Sequence, residues 1–258
     1  MATEVSIEDR RVKTAELLSQ KGFMSLAELV QNLRVSESTI RRDLEILEEQ
    51  GGIRRTHGGA VCVQDSSSRL AFADREMTAK AQKQAIARAL ARLIPEGQTI
   101  ILDGGTTCHE VARAIQGRRI NVITNSVPIA SLLSTDRAAE VTLVGGYVYP
   151  RTGAALGPMA EQMLAGLHAG ILILSCAGLS AEGAFNPNQM MVGVERRMME
   201  IADRVILAAD HTKIGMRAVV KLCDLDELDV IVTDSEVSVE ARKWLDSLGG
   251  KVIYAEQT

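Results

Sequence analysis

Apolar positions recur with a helical period in the first quarter of the chain and in short unbroken runs after it. Val12, Ala15 and Leu18 mark one face of a helix over roughly 8–20, and Leu26, Leu29, Val30 and Leu33 share one face of a second. Ser25-Leu26-Ala27-Glu28 is a capping-box pattern, in which serine and glutamate each satisfy a free backbone N–H. Ser36 can cap a third helix whose stripe is Ile40, Leu44 and Leu47. Two short amphipathic helices so closely spaced predict a helix-turn-helix, with the first helix closing a miniature core. Beyond Gly51-Gly52, the run Ile53-Arg54-Arg55-Thr56, the turn His57-Gly58-Gly59 and the run Ala60-Val61-Cys62-Val63 predict a β-hairpin, the wing of a winged helix.

The periodicity stops at the polar run Gln64-Asp65-Ser66-Ser67-Ser68. The expected organisation is a winged helix-turn-helix over 1–63, a linker over 64–76 and a larger domain over 77–258. From Arg75 onward, Met77, Ala81, Ala85, Ala89 and Leu93 recur at fourfold spacing and predict one helix up to Pro95. That helix either couples the domains or simply packs on the following sheet. After Gly97, β-rich runs at 99–102, 120–124, 141–144, 171–174, 205–208, 230–232 and 252–254 alternate with helical segments such as 194–203 and 237–248. The fold class is α/β, and strands without polar alternation imply a mainly parallel sheet covered on both faces.

Length and composition agree with a small-plus-large pair: 258 residues, 46% hydrophobic and 24% charged. The formal charge is 29 − 33 = −4, which excludes a uniformly basic nucleic-acid coat and makes any phosphate-binding surface local. The N-terminus has no cationic segment followed by an apolar stretch, and no run approaches ~18 apolar residues, so the expectation is a cytoplasmic protein with no membrane partner. Cys62, Cys108, Cys176 and Cys223 are scattered, with no C-x-x-C pair and no histidine at ligand spacing. They read as small buried hydrophobes, and no metal or cofactor is expected.

With Ile40 and Leu44 turned inward, the third helix presents Ser38, Arg41 and Arg42 near its start. Arginine offers a planar donor fork for guanine edges or phosphate oxygens, and Ser36 or Ser38 can bond a phosphate at the helix N-terminus. Adjacent arginines point about 100° apart, so one can face bases while the other holds the backbone; which does which stays open. Glu45, Glu48 and Glu49 would repel DNA, so the helix is expected to enter a groove by its first turns. The wing arginines Arg54 and Arg55 are placed to touch flanking phosphates.

In the larger domain, polar residues and glycines follow the strands. Asp103-Gly104-Gly105-Thr106-Thr107, Asn125-Ser126, Gly145-Gly146, Ala177-Gly178, Asp210-His211-Thr212-Lys213 and Asp234-Ser235 all stand just past a strand end. In an open parallel sheet those ends share one edge, where ligands bind. Gly104-Gly105-Thr106-Thr107 allows close backbone approach to an anion at a helix start, Lys213 supplies positive charge, and Asp103 and Asn125 can bond sugar hydroxyls. Asn186, Asn188 and Gln189 read as a polar surface loop or as selectivity residues. P-loop and dinucleotide fingerprints are absent. Glu195, Asp103 and Lys213 can also be cast as acid and base groups, so a sugar-phosphate isomerase or transferase with an accessory DNA-binding head is the alternative function.

The segment 35–44, Val-Ser-Glu-Ser-Thr-Ile-Arg-Arg-Asp-Leu, followed by Arg55-Thr56-His57-Gly58-Gly59-Ala60, resembles the N-terminal winged helix of DeoR-family bacterial transcriptional regulators. The signatures 103–107, 124–126, Gly145-Gly146, Glu195, 209–213 and Thr233-Asp234 resemble that family's effector domain, whose fold is similar to ribose-phosphate isomerases and coenzyme A transferases. The chain departs from the family pattern at Gly170, where an acid is usual, and at the less glycine-rich Ser175-Cys176-Ala177-Gly178. The resemblance implies operator DNA as partner, with Ser36, Ser38, Thr39, Arg41, Arg42, Arg54, Arg55 and His57 as contacts. It also implies a phosphorylated sugar or polyol effector held by Asp103, Gly104, Gly105, Thr106, Thr107, Asn125, Ser126, Gly145, Gly146, Glu195 and Lys213. The expected function is a non-enzymatic regulator, more precisely a repressor. One winged helix reads few base pairs, so a homo-oligomer, dimer or tetramer, is expected.

Overall fold

The computed structural model describes residues 7–21, 23–49, 53–56, 58–62 and 72–256. The chain divides into two compact units, Met1–Arg69 and Leu70–Thr258.

In the first unit, α1 (Ile7–Lys21), α2 (Leu26–Leu33) and α3 (Glu37–Glu49) enclose a core of Leu18, Met24, Leu26, Leu29, Ile40, Leu44, Leu47, Ile53 and Ala60. The capping box forms as the pattern demands: Ser25 Oγ accepts from Glu28 N–H at 3.3 Å, and Glu28 accepts from Ser25 N–H at 2.8 Å. Ser36 Oγ accepts from Thr39 N–H at 3.2 Å at the start of α3. The strands β1 (Phe23–Ser25), β2 (Ile53–Thr56) and β3 (Gly59–Cys62) make an antiparallel sheet in the order β1-β3-β2, so β1 adds a third strand to the wing hairpin. Gly59 is required there, because a Cβ would stand 2.1 Å from Met24 O. Val63 and His57 lie outside the described residues.

The second unit begins inside the stretch expected as linker. Phe72–Met77 form a helix, α4, which belongs to this unit because Arg75 Nη2 donates to Arg151 O at 3.2 Å and Glu76 pairs with Arg113 at 3.0 Å. The single helix expected from Arg75 to Pro95 is two: α4 ends at Met77, Ala79 adopts φ +49°, and α5 runs Lys80–Leu93. Lys83 Nζ donates to Arg75 O and Thr78 O (2.7 Å to the latter), satisfying carbonyls left free at the break. The buried residues of α5 are Lys83, Ala85, Ile86, Ala87 and Leu90; of the expected fourfold set Ala85 is buried, Ala89 and Leu93 are half-buried, and Met77 and Ala81 are exposed. A spacing of four drifts about 40° per step on a helix, so that set cannot hold one face.

Seven strands form one parallel sheet: β4 (Thr99–Leu102), β5 (Ile120–Thr124), β6 (Ala139–Leu143), β9 (Ile171–Ser175), β12 (Val205–Ala208), β14 (Val230–Asp234) and β15 (Val252–Ala255), in the order β15-β14-β12-β9-β4-β5-β6. Strand alternation sends Ile100 and Leu102 to one core and Ile101 to the other, and likewise Ile171 and Ile173 against Leu172 and Leu174. Each face is therefore sealed by its own core, as the unbroken apolar runs predict. The smaller strands β7 (Tyr147–Tyr149) with β8 (Ala154–Leu156), and β10 (Gly178–Ser180) with β11 (Gly183–Asn186) and β13 (Val220–Cys223), were not foreseen. They are three- and four-residue pieces that share no alternation long enough to read. Among the described residues no helix is long and apolar enough to cross a membrane.

Candidate functional site

The first unit offers a polar face on α3. Ser36, Ser38, Arg41 and Arg42 are exposed and Thr39 is half-buried. Ser36 Oγ lies 2.9 Å from Ser38 Oγ and 2.7 Å from Thr39 Oγ1, so the hydroxyls form one cluster at the helix start. Arg41 donates to Glu37 Oε1 from Nε at 3.0 Å and from Nη2 at 2.7 Å, whereas Arg42 has no hydrogen bond or ion pair among the described residues. Arg42 is available to DNA without breaking an existing pair among the described residues.

Arg55, expected as a phosphate contact, is committed elsewhere. Its Nη1 pairs with Glu45 Oε1 and its Nε with Glu48 Oε2, both at 2.7 Å, while its backbone N–H donates to Glu48 Oε1 at 2.8 Å. It thereby pairs with two of the three acids expected to repel DNA, offsetting one of their two charges, and ties the wing to α3. Arg54 is in β2.

A residue whose role sequence reasoning missed sets the angle of α3. Asp43, almost fully buried, accepts from Arg10 Nε at 2.6 Å, Arg10 Nη2 at 3.2 Å and Arg11 Nε at 3.1 Å, joining α1 to α3. The available signal was an acid one position before Leu44, on the inward side of the stripe, and an Arg-Arg pair in α1.

In the second unit, the chain leaves β4 for β5 and β6 on one side and returns to β9 on the other. The crevice beyond the carboxyl ends of β4 and β9 is thus the topological switch point, where open α/β sheets take ligands. Asp103 and Ser175 meet there: Asp103 Oδ2 accepts from Ser175 N–H at 3.2 Å and from its hydroxyl at 2.6 Å. The network continues through Asn186, whose Nδ2 donates to Glu195 Oε1 at 2.7 Å and to Ser175 O at 3.5 Å, and whose Oδ1 accepts from Ala177 N–H at 2.7 Å. Asn186 is buried in β11, which corrects the surface-loop reading; Asn188 caps the following helix, α9 (Gln189–Glu200), through Met190 N–H, and Gln189 is exposed.

Burial pushes the carboxyls of both Asp103 and Glu195 above the ordinary range, and the charge on Asp103 raises Glu195 further. Glu195 Oε2 and Asn125 Oδ1 are buried without a hydrogen-bond partner. Asn125 flanks Gly104, its Oδ1 lying 3.4 Å from where a Cβ at 104 would stand, and its Nδ2 donates to Ala155 O at 3.1 Å. Thr106 and Thr107 are buried in the first turn of α6 (Thr106–Ala114), whose N-cap, Gly105, supplies no side-chain cap. Its leading N–H groups therefore point at the crevice as donors for an anion.

The two glycines are fixed by crowding: a Cβ on Gly104 would meet the Ala154 Cβ at 2.6 Å, and one on Gly105 the Ser175 Oγ at 2.1 Å. Lys213 sits in a short 3₁₀ turn that Asp210 caps through Thr212 N–H and that buried Asp234 holds through His211 N–H (2.7 Å) and Nδ1 (3.0 Å). Its ammonium has no bonded partner among the described residues, and its charge bears on Cys176, one residue past Ser175. Burial raises the Cys176 thiol against that charge.

Three expected residues stay apart from this network. Ser126 is the N-cap of the helix Val127–Leu133, accepting from Ile129 N–H at 3.3 Å. Gly145-Gly146 follow the edge strand β6, and Gly146 has φ +150° where a Cβ would stand 2.9 Å from Leu156 O. Two cations the sequence reading passed over join it instead. Arg75 is pulled down by burial while the Asp103 charge opposes, and its Nε has no partner. Lys83 is pulled down to about 8, chiefly by burial, with the Asp210 charge holding it up and Lys213 and Arg75 lowering it. Both lie on helices that precede the first strand, in a segment whose helical pattern hides them.

A family profile for the DeoR-like helix-turn-helix domain matches residues 10–66, and one for the DeoR C-terminal sensor domain matches residues 78–235. The chain belongs to the DeoR family of DNA-binding transcriptional regulators. This DeoR-family chain is 34% identical over 247 residues to an uncharacterized HTH-type transcriptional regulator, YulB, of Bacillus subtilis, covering 95% of this chain and 96% of that one. It is 35% identical to the transcriptional repressor AccR of Agrobacterium fabrum (89% and 90% covered) and 33% identical to the glycerol-3-phosphate regulon repressor of Escherichia coli (89% and 92%). Among solved structures, ribose 5-phosphate isomerase A of Neisseria gonorrhoeae matches with a TM-score of 0.38 at 15% identity, covering 54% of each chain, a likeness too slight to bear on activity.

Proposed function

We propose that this DeoR-family protein is a repressor that holds operator DNA with α3 and releases it when the sheet-edge crevice takes a phosphorylated sugar or polyol. The observation that carries the reading is the switch-point crevice itself. It gathers an uncapped helix start, the free ammonium of Lys213 and the partnerless Nε of Arg75 for a phosphate, beside buried carboxyl and amide oxygens that lack donors. A polyol supplies those donors, and a sugar phosphate supplies both halves. The relative named for the glycerol-3-phosphate regulon supports that ligand class.

On the DNA side, the Ser36, Ser38, Thr39 cluster and Arg42 engage the duplex first, with Arg41 joining once it leaves Glu37. Arg54 and His57 are assigned to the wing's phosphate contacts, while Arg55 serves as the brace between wing and α3. In the crevice, Asp103, Asn125 and Glu195 take hydroxyls, and Gly104 to Thr107 with Lys213 take the phosphate; Ser126, Gly145 and Gly146 shape the edge. The protein works in the cytoplasm as a homo-oligomer, because two half-sites must be read together, and it senses its ligand without turning it over.

The test is selection of duplexes from a random-sequence pool with the full chain, followed by fluorescence anisotropy on the selected site. Glycerol 3-phosphate and hexose and pentose phosphates are then added singly at constant ionic strength. Release by at least one of them, with no loss of that compound over hours, is expected. Failure to enrich any duplex at low salt, or steady conversion of a sugar phosphate, refutes the proposal.

A further inference from the structure

A second polar cluster lies between α4 and α6, beside the crevice network, since the Glu110 charge reaches Lys83. Glu76, His109 and Glu110 present ligand atoms that all lie within 4.8 Å of one another, and His109 and Glu110 are buried. His109 Nδ1 stands 3.4 Å from Glu76 Oε1, yet without a directed hydrogen bond, and Glu110 Oε1 is equally without one. Arg113 is close by, with Nη2 3.0 Å from Glu76 Oε1 and Nε 3.6 Å from Glu110 Oε1, but its side chain is about half exposed. It sits at the mouth of the cluster, and its contact with Glu110, like that of Glu76 with His109, is an ion pair at long range without a hydrogen bond. Burying polar atoms with no partner costs free energy that packing alone does not return.

We infer that Glu76, His109 and Glu110 form a binding site for a divalent transition cation of the zinc class. One imidazole nitrogen and two carboxylate oxygens are the mixed donor set such ions take, with water in the remaining position. Bonds of about 2.1 Å in tetrahedral geometry put ligand atoms about 3.4 Å apart, so the three side chains close by at most about 1.4 Å. Two carboxylates share one directly paired guanidinium, with Lys83 acting on Glu110 without an ion pair, and a divalent ion would add positive charge between them. The Arg113 side chain swings toward solvent as the ion enters between Glu76 and Glu110. Phe72, whose ring meets that of His109 edge-on at 5.4 Å, limits how far the imidazole can turn away.

The ion fastens α4 to α6, the helix whose first turn carries Thr106 and Thr107. The pattern is invisible to a search for clustered cysteines and histidines, because Glu76 and the His109-Glu110 pair come from different helices. Nothing here depends on operator binding, and the test is made without DNA.

Metal-stripped full-length protein is titrated with zinc chloride by calorimetry, with cobalt chloride as a spectroscopic stand-in. One zinc per chain at this cluster is expected, together with a higher melting temperature. His109→Ala and Glu110→Gln should each weaken that binding at least tenfold, whereas Arg113→Ala, which removes the competing cation, should tighten it. Circular dichroism establishes that each variant is folded; the near-isosteric Glu110→Gln and the surface change Arg113→Ala carry the test should His109→Ala fail to fold. No zinc binding by the wild-type protein overturns the inference. So does zinc binding that these variants leave unchanged, which would place the ion elsewhere.

Discussion

Replacing Asp43 by alanine removes a carboxylate that joins α1 to α3, and its cost can be worked from the geometry. Asp43 accepts three N–H bonds, from Arg10 at 2.6 and 3.2 Å and from Arg11 at 3.1 Å. Breaking a buried ion pair by deleting one partner costs about 3–5 kcal/mol, most of it from the charge left behind. Here the stranded cations can rehydrate, since the side chains of Arg10 and Arg11 are 15% and 27% exposed, which lowers the cost to about 2–3 kcal/mol. One factor of ten corresponds to about 1.4 kcal/mol, so amide protection in α1 and α3 should fall about 30- to 150-fold. Hydrogen exchange with mass spectrometry on the full chain reads this directly, because peptides from β4 and β9 serve as internal reference. Duplex affinity should fall with it, as α3 loses its fixed angle. Asp43→Asn, which keeps the volume and one acceptor oxygen, should lie between the two. A loss below threefold in the α1 and α3 peptides, or an equal loss in the central sheet, would refute the reasoning.

Three further outcomes follow from individual contacts. Arg42→Ala should weaken selected-duplex binding about tenfold or more, whereas Glu37→Gln, which frees Arg41 from its pair, should strengthen binding to any duplex at low salt; anisotropy titrations at two ionic strengths measure both. Gly105→Ala places a Cβ 2.1 Å from Ser175 Oγ, so it should cost about 1–3 kcal/mol in urea denaturation and abolish ligand release without touching duplex affinity. For Glu195, burial holds the folded-state pKa above the unfolded value of about 4.3, so the native state binds a proton that the unfolded chain releases. That contribution is fully present below the unfolded value and is lost as pH rises toward the folded one. Urea midpoints of Glu195→Gln relative to wild type should therefore climb with pH from 4.5 upward, and a difference that stays flat would contradict the burial argument.

The hydrophobic pattern alone determined the architecture at both ends of the chain. Ile40, Leu44 and Leu47 repeat locally, Ser25 and Glu28 cap within one turn, and the sheet strands announce themselves as short β-rich runs, even the edge strand β6, which has no buried residue, because each signal is complete within about ten residues. The strand-end positions Asp103, Gly104, Gly105 and Asn125 were legible for the same reason: a parallel sheet with covered faces puts every such tip on one edge. What only the tertiary structure decided involves partners far apart in sequence. Asp103 meets Ser175 and Glu195 meets Asn186 only once β4 and β9 are neighbours. Lys83 lies on the buried face of α5 only because the helix breaks at Ala79 and needs a donor for its loose carbonyls. Arg55 reads as a free wing cation until the hairpin folds back on Glu45 and Glu48. Periodicity records which face of an element is apolar, and that follows from covalent geometry. Which polar groups answer one another is set by long-range packing, where loop closure, burial and charge are decided together.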